Sequence, residues 1–437
     1  MAKFIHKDRQ QKGYILLLLF VSPILALFNI LKLKNNRDIT FFGTLFFGMI
    51  GSLYIYSDGN DGFKHRFLVE QNYIGMSFNE FLSQSYDILT FNAGEGTADF
   101  YLHILSFIAG SIFNIPELLH VLAGLVLGYF YTKSVLLIIG DNVQQKKNYI
   151  LMGLIVLLLL IKSISALNSI RMWTGMWVLF YGTYGWAKTK NIKYFIAILF
   201  STVVHFSYVV IIIPVAISYL IRERKRLLVL IYIISFFTSF FFSYFESFVP
   251  KSELFESKQE QYAIDSEEKA ERFEKRYEDA KVINSNKSFY SASGQENYVN
   301  YSIVGLTILM LFFYLKKESD KNFMFLISVG AGLYAFSNMV AFSPSLQNRT
   351  KVIAATFLLA AAIQLYYTLY RYRLSVNAKK RFDFGLICFL LSSTTMVLYQ
   401  ISFILQGFSF FLLMFPELSW LLGDNDFSLR EALDFLK

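Results

Sequence analysis

The chain has 437 residues, 55% of them hydrophobic and only 17% charged, with 47 Phe and 28 Tyr. A water-soluble globule carries about 25% charged residues, so this composition excludes a solvated fold and implies extensive lipid-facing surface. The formal net charge of +9 is read as basic loops facing anionic lipid, not as a nucleic-acid footprint.

A membrane-crossing helix needs roughly 20 mostly apolar residues. In chain order, candidate stretches fall at 14–33, 40–56, 99–113, 116–139, 149–167 and 170–186. They continue at 192–221, 227–249, 299–315, 323–342, 352–370 and 382–405. The expected fold class is therefore an all-α polytopic membrane protein with about 12 transmembrane helices. Barrel strands alternate apolar and polar residues, whereas 150–161 is continuously apolar.

Lys3, Lys7, Arg9 and Lys12 precede the first apolar run, which is too long for the apolar core of a signal peptide and is expected to persist as a first helix. The single Cys388 excludes an intramolecular disulfide and a cysteine-based metal site. Basic short loops stay cytoplasmic, which places 222–226, 316–321 and 371–381 inside, and 250–300 and 343–349 outside. The first half conflicts with this rule. Placing the acidic loop 58–98 outside forces the basic N-terminus and 188–193 outside too. One repair makes 192–221 a helical hairpin that turns near His205, but by the same count it moves the acidic loop inside; the acidic loop is preferred outside.

Two large extracytoplasmic loops are expected, at 57–98 and 250–300, with an amphipathic C-terminal segment at 403–437. The first holds a Gly59-Asn60-Asp61-Gly62 turn and an excess of carboxylates. Within it, 78–89 has the spacing of an amphipathic helix, suited to the membrane surface or to packing on the bundle. Alternating charges over 251–287 suit an exposed helix, and the Ser-, Asn- and Tyr-rich 284–300 suits a polar loop or a sugar-contacting one.

Ionisable groups within or beside apolar spans are costly and mark functional candidates. Arg171 and Arg349 each sit at a span end, where a guanidinium either snorkels or binds phosphate oxygens. His205 lies in an apolar run and offers a base near neutral pH. Asp99 and His103 are four residues apart on one helix face, which Glu95 would extend, as a structural pair or a reactive one. No Walker loop, dinucleotide fingerprint, zinc-protease motif or nucleophile elbow is present. The acidic Asp424-Asn425-Asp426 lies after the last span and reads as a chance occurrence; no metal and no cofactor are expected.

The order of Gly59-Asn60-Asp61, Glu95 to Tyr101, Ser169-Ile170-Arg171, the Lys-rich 188–193, His205-Phe206-Ser207 and Asn348-Arg349 resembles the EpsG-like branch of Wzy-type O-antigen and exopolysaccharide polymerases, over roughly 40–370. The chain departs from that family at Gly62-Phe63 and at Gly94-Glu95-Gly96. The resemblance implies a membrane glycosyltransferase of the bacterial inner membrane, with its site on the periplasmic face. Its partners would be undecaprenyl-pyrophosphate-linked oligosaccharide, membrane lipid and a chain-length regulator. It implies His205, Asp61 and Asp99 as catalytic candidates, and Arg171, Arg349, His103, Glu95 and Tyr101 as substrate-binding candidates. An O-antigen ligase or another lipid-linked-sugar transferase would share these features. A flippase or transporter would favour internal repeats, and none is evident; a receptor or structural membrane protein has no need of arginines and a histidine at span ends and interiors.

Overall fold

The computed structural model describes residues 2–56, 61–90, 99–140, 148–238, 294–316, 320–341, 343–371, 376–422 and 427–435. Among them the regular structure is helical, with no strand beyond the isolated bridges Tyr54–Phe408 and Ser409–Ser428. Four described helical stretches are long and apolar enough to cross a bilayer: Leu118–Ile139, Tyr149–Thr189, Pro344–Thr368 and Lys379–Gly407, the second and fourth each made of two consecutive helices. The fold is thus an all-α membrane protein, but several expected crossings are apolar runs that the backbone divides. The charged segment 251–287 and the Asp424-Asn425-Asp426 triplet lie outside the described residues.

The chain separates into two compact units, residues 1–144, 159–208 and 400–437 forming the first, and 145–158 and 209–399 the second. In the first, α1 (Ala2–Val21) and α2 (Pro23–Ile30) are broken at Ser22, whose hydroxyl caps α2 ahead of a proline at its first position. The run 14–33 is therefore not one helix. Asn35 caps α3 (Asn36–Ser52). Next come α4 (Asp61–Asn72) and α5 (Phe78–Leu89), which occupies the predicted 78–89 stretch. The start of α5 is fixed by a capping box: the Glu80 carboxylate accepts from the Ser77 N–H at 2.7 Å, and Ser77 Oγ from the Glu80 N–H at 3.3 Å.

The helix α6 (Phe100–Phe107) runs on through a π-turn at Ile108–Ile112. It is followed by α7 (Leu118–Ile139), α8 (Tyr149–Leu160), a 3₁₀ turn at Ile164–Ser169, α9 (Ile170–Thr189) and α10 (Ile192–Val204). The expected span 192–221 is likewise broken, because α11 (Tyr208–Ile221) starts anew after an extended His205 with φ −155° and ψ 125°.

Small residues let α3 and α7 touch backbone to backbone. A Cβ on Gly51 would stand 2.1 Å from the His120 carbonyl oxygen, and one on Gly124 2.3 Å from that of Phe47. Glycine is the residue that permits such approach between membrane helices, where packing rather than hydrophobic expulsion drives association.

The first unit has two chemically distinct ends. At one, Lys12 pairs with Asp38 at 2.8 Å, Lys188 Nζ donates to the Leu137 carbonyl at 3.1 Å, and Lys133 is within electrostatic reach of Arg37 and Lys193. At the other, the far ends of α3, α7, α9 and α10 converge: the Tyr56 hydroxyl is 3.0 Å from His120 Nδ1, Tyr54 OH donates to Asn168 Oδ1 at 2.8 Å, and Arg171 and His205 meet Asp99. The C-terminal tail is tied to this second end, the Ile55 N–H donating to the Gly407 carbonyl and the Ser409 N–H to that of Leu53. There the expected amphipathic segment 403–437 becomes two short helices, Pro416–Leu422 and Leu429–Phe435.

The second unit contains most of α8 and α11 together with α12 (Lys225–Ser235), α13 (Ile303–Lys316), α14 (Lys321–Met339), α15 (Pro344–Arg371), α16 (Val376–Ser392) and the first residues of α17 (Thr394–Gly407); α15 is largely buried and packs on α14 and α13. Lys351 on α15 donates to Asn300 Oδ1 at 2.8 Å, and the Tyr334 hydroxyl to the Val299 carbonyl at 3.0 Å.

Candidate functional site

The site is assembled where helices stop. Asp99 stands at the N-terminal boundary of α6 with extended backbone, and its side chain does not cap that helix. Its carboxylate instead accepts from three groups brought by other elements. Arg171 Nη1, in the first turn of α9, donates to Oδ2 at 2.6 Å; the Phe206 N–H, after the end of α10, donates to Oδ1 at 2.8 Å. His205 Nδ1 lies 3.0 Å from both oxygens. A carboxylate is acceptor-only, so Nδ1 carries the proton and Nε2 is left to meet a ligand.

Exposure divides these roles. The Asp99 side chain is 2% exposed, while those of His205 and Arg171 are 15% and 31% exposed. The carboxylate is a buried anchor; the imidazole and the guanidinium reach outward from it. The break at His205 makes this geometry accessible, since a continuous helix would commit the Phe206 N–H to the carbonyl four residues back.

Asp61, at the start of α4, accepts from Ser169 Oγ at 2.6 Å. Ser169 therefore does not cap α9 with its side chain. The N-terminus of this 20-residue helix lies beside Arg171, so the helix adds partial positive charge there alongside the carboxylates of Asp61 and Asp99. Asn168 fixes the same loop by accepting from Tyr54 OH at 2.8 Å and from the Gly62 N–H at 3.4 Å.

His65, one turn after Asp61 on α4, is a further member that the sequence reading passed over. It is 7% exposed, and among the described residues its ring makes no hydrogen bond. Burial first, then the positive Arg171, push its pKa down to about 4, against the opposing pull of Asp61 and Asp99. It is a neutral imidazole at pH 7, with one donor and one acceptor at the edge of the site. The available signal was the Asp61–His65 spacing of four, the same spacing that singled out Asp99 and His103.

That second pair is not made. His103 Nε2 is 3.2 Å from the Phe81 carbonyl and 3.1 Å from Ser85 Oγ, and the Tyr73 hydroxyl lies 2.7 Å from Nδ1. The carbonyl requires the proton on Nε2, so Tyr73 donates to Nδ1 and both ring nitrogens are committed to packing α4, α5 and α6. Helical periodicity put Asp99 and His103 on one face, but Asp99 precedes the helix and its carboxylate turns to α9 and α10. Tyr101 is buried with its hydroxyl beside Thr174 of α9. Arg349 lies in the second turn of α15, in the second unit, and Glu95 lies outside the described residues.

Two more polar groups in the first unit went unremarked in the sequence. His120 stacks on Tyr54 with ring centroids 4.8 Å apart and planes 4° off parallel, which makes it part of the support for Asn168. Lys162 is buried with Nζ 4.4 Å from the centre of the Trp173 ring, and its carbonyl accepts from Trp177 Nε1 at 2.8 Å; it marks the break between α8 and α9. No family model, no curated protein and no solved structure matches this chain.

Proposed function

We propose that the chain is a membrane glycosyltransferase that joins oligosaccharide repeats carried on a lipid pyrophosphate, as the resemblance to Wzy-type polymerases suggests. The observation that carries this reading is the Asp99 carboxylate holding His205 by Nδ1 and Arg171 by Nη1, both aimed outward from one buried anchor. An oriented imidazole beside a guanidinium serves a reaction in which a hydroxyl loses a proton while an anion departs.

In this mechanism a sugar hydroxyl of the acceptor attacks the anomeric carbon of the donor. The new C–O bond forms as the bond to the pyrophosphate oxygen breaks. His205 Nε2 takes the hydroxyl proton, Asp99 stabilises the resulting imidazolium, and the lipid pyrophosphate leaves with the electron pair. A cation 4 Å from developing charge contributes roughly 4 kcal/mol at an effective dielectric near 20, before desolvation. Arg171 and the uncapped start of α9 supply it. Asp61, held by Ser169, and the neutral His65 are suited to hydrogen-bond sugar hydroxyls. Assigning the lysine-rich end to the cytoplasm supports a site on the external face of the inner membrane. A second cation, Arg349, is assigned to phosphate binding from its sequence context alone.

The test is genetic. In a deletion host, wild type should restore a ladder of surface glycan, whereas Arg171→Ala, inserted at wild-type levels, should leave single repeats on lipid. A full-length ladder from Arg171→Ala would remove the arginine from the mechanism, and an unchanged ladder in the deletion host would remove the polymerase reading.

A further inference from the structure

The expected crossing at 99–113 fails on connectivity. Asp99 touches Arg171 and His205, while Glu117 pairs with Arg66 at 2.7 Å and His120 meets Tyr56, so the chain enters and leaves this segment at the same end of the first unit. Its partner α5 runs antiparallel to it: Phe81 stacks on Phe107 with centroids 4.2 Å apart, and Ser85 meets His103. Twelve residues of α5 extend about 18 Å, well short of a hydrocarbon core about 30 Å thick.

Beside the face that packs on α6, α5 carries an apolar stripe, its first member Phe78 also reaching Phe107 at 6.2 Å between ring centroids. Phe78, Leu82, Tyr86 and Leu89, at spacings of four, four and three, are 60%, 50%, 67% and 59% exposed. Exposed Asn79, Glu80, Ser83 and Gln84 flank them. An aromatic-rich stripe with polar flanks, too short to span, is the pattern of a helix lying in the headgroup boundary. In a chain already committed to a bilayer by its long apolar helices, the occupant that fits such a face is lipid.

We infer that α5 and α6 form a non-crossing layer on the site-bearing end, docked on the lipid surface through Phe78, Leu82, Tyr86 and Leu89. Asp99, at the boundary of α6, is thereby held at headgroup depth. The same connectivity applies at the other end: the Lys12–Asp38 pair makes α1 and α2 return to the side they entered, so 14–33 does not cross either. With both segments removed from the count, the basic N-terminus, Lys188, Lys190 and Lys193 fall on one side and the acidic loop on the other, which dissolves the charge conflict in the first half. The assignment is independent of any catalytic role for the site.

The test uses the full chain in lipid nanodiscs, with Cys388→Ser as background and a nitroxide attached at Leu82→Cys or Gln84→Cys, both exposed positions. The expected result is a Leu82 label about 5–10 Å below the headgroup boundary, favouring oxygen over a water-soluble nickel chelate, with the Gln84 label favouring the chelate. Two aqueous labels would overturn lipid docking, and two labels at the bilayer centre would restore a crossing. Tyr86→Cys, as a second stripe position, repeats the reading if the Leu82 variant fails to fold.

Discussion

Asp99→Asn is the substitution that separates an anchor of reactive groups from a structural ion pair. The amide keeps the shape of the carboxylate, and its oxygen can still accept from the Phe206 N–H. Its nitrogen, however, sets a donor against Arg171 Nη1, which now stands 2.6 Å from a carboxylate oxygen. Removing one partner of a buried ion pair destabilises by about 3–5 kcal/mol, and the 2% exposure of Asp99 puts it in that class. The catalytic loss is separate. The amide oxygen still lies within reach of His205 Nδ1, 3.0 Å from it in the carboxylate form, but a neutral amide does not stabilise the imidazolium that forms, and most of the contribution of the base, a factor of about 10² to 10⁴, should be lost. The assay is the initial rate of repeat joining by purified protein in nanodiscs, with thermal unfolding measured alongside. Asp99→Asn and His205→Ala should each slow the reaction by at least about 10², and the double variant should be little slower than either, since the two act as one unit. A rate within threefold of wild type, with stability still lost, would refute the orienting role and leave Asp99 as a fastener of helix ends.

His65 gives a pH prediction. Its folded pKa of about 4 lies below the unfolded value of 6.5, so above pH 6.5 it is neutral in both states. As pH falls, the unfolded chain takes up the proton first, and stability drops by about 1.4 kcal/mol per unit, or about 3 kcal/mol by pH 4. His65→Gln should reduce the fall in melting temperature between pH 7 and pH 4.5; an unchanged fall would show that His65 does not titrate as described. Gly51→Val should abolish the contact of α3 with α7, because a Cβ would stand 2.1 Å from a backbone oxygen; monodisperse protein with wild-type melting would contradict that packing. His103→Ala should destabilise by about 1–3 kcal/mol through lost hydrogen bonds while leaving the pH profile of the reaction unmoved, and a shifted profile would return His103 to the site.

The sequence revealed the helical class, since long apolar runs can satisfy their backbone only internally. It also revealed α5, because a period of 3.6 is a local signal; the Ser77–Glu80 capping box that fixes its start was not read from the sequence. Arg171 and His205 stood out as ionisable residues in apolar surroundings, and both meet Asp99. What was not legible depends on tertiary placement. Hydropathy counts apolar residues but cannot see that Ser22 breaks the run 14–33, whereas the division before Ile170 and a hairpin turning near His205 were both among the sequence readings. Nor does it see that 99–113 returns to its starting side, which only the long-range contacts of Asp99 and Glu117 reveal. The spacing rule that suggested Asp99 with His103 assumes both are helical, and Asp99 lies just before the helix. His65 carried the same spacing to Asp61, but in a polar stretch it had no apolar background against which to stand out.

The central claim is that one buried carboxylate presents an imidazole and a guanidinium to a lipid pyrophosphate-linked sugar. The most direct measurement supplies the purified chain in nanodiscs with a single lipid pyrophosphate-linked repeat and counts released lipid pyrophosphate against new glycosidic bonds. One released for each bond formed, with both products lost in Arg171→Ala and His205→Ala, is the predicted result. Folded wild-type protein that releases no lipid pyrophosphate, or variants that release it at the wild-type rate, would contradict it.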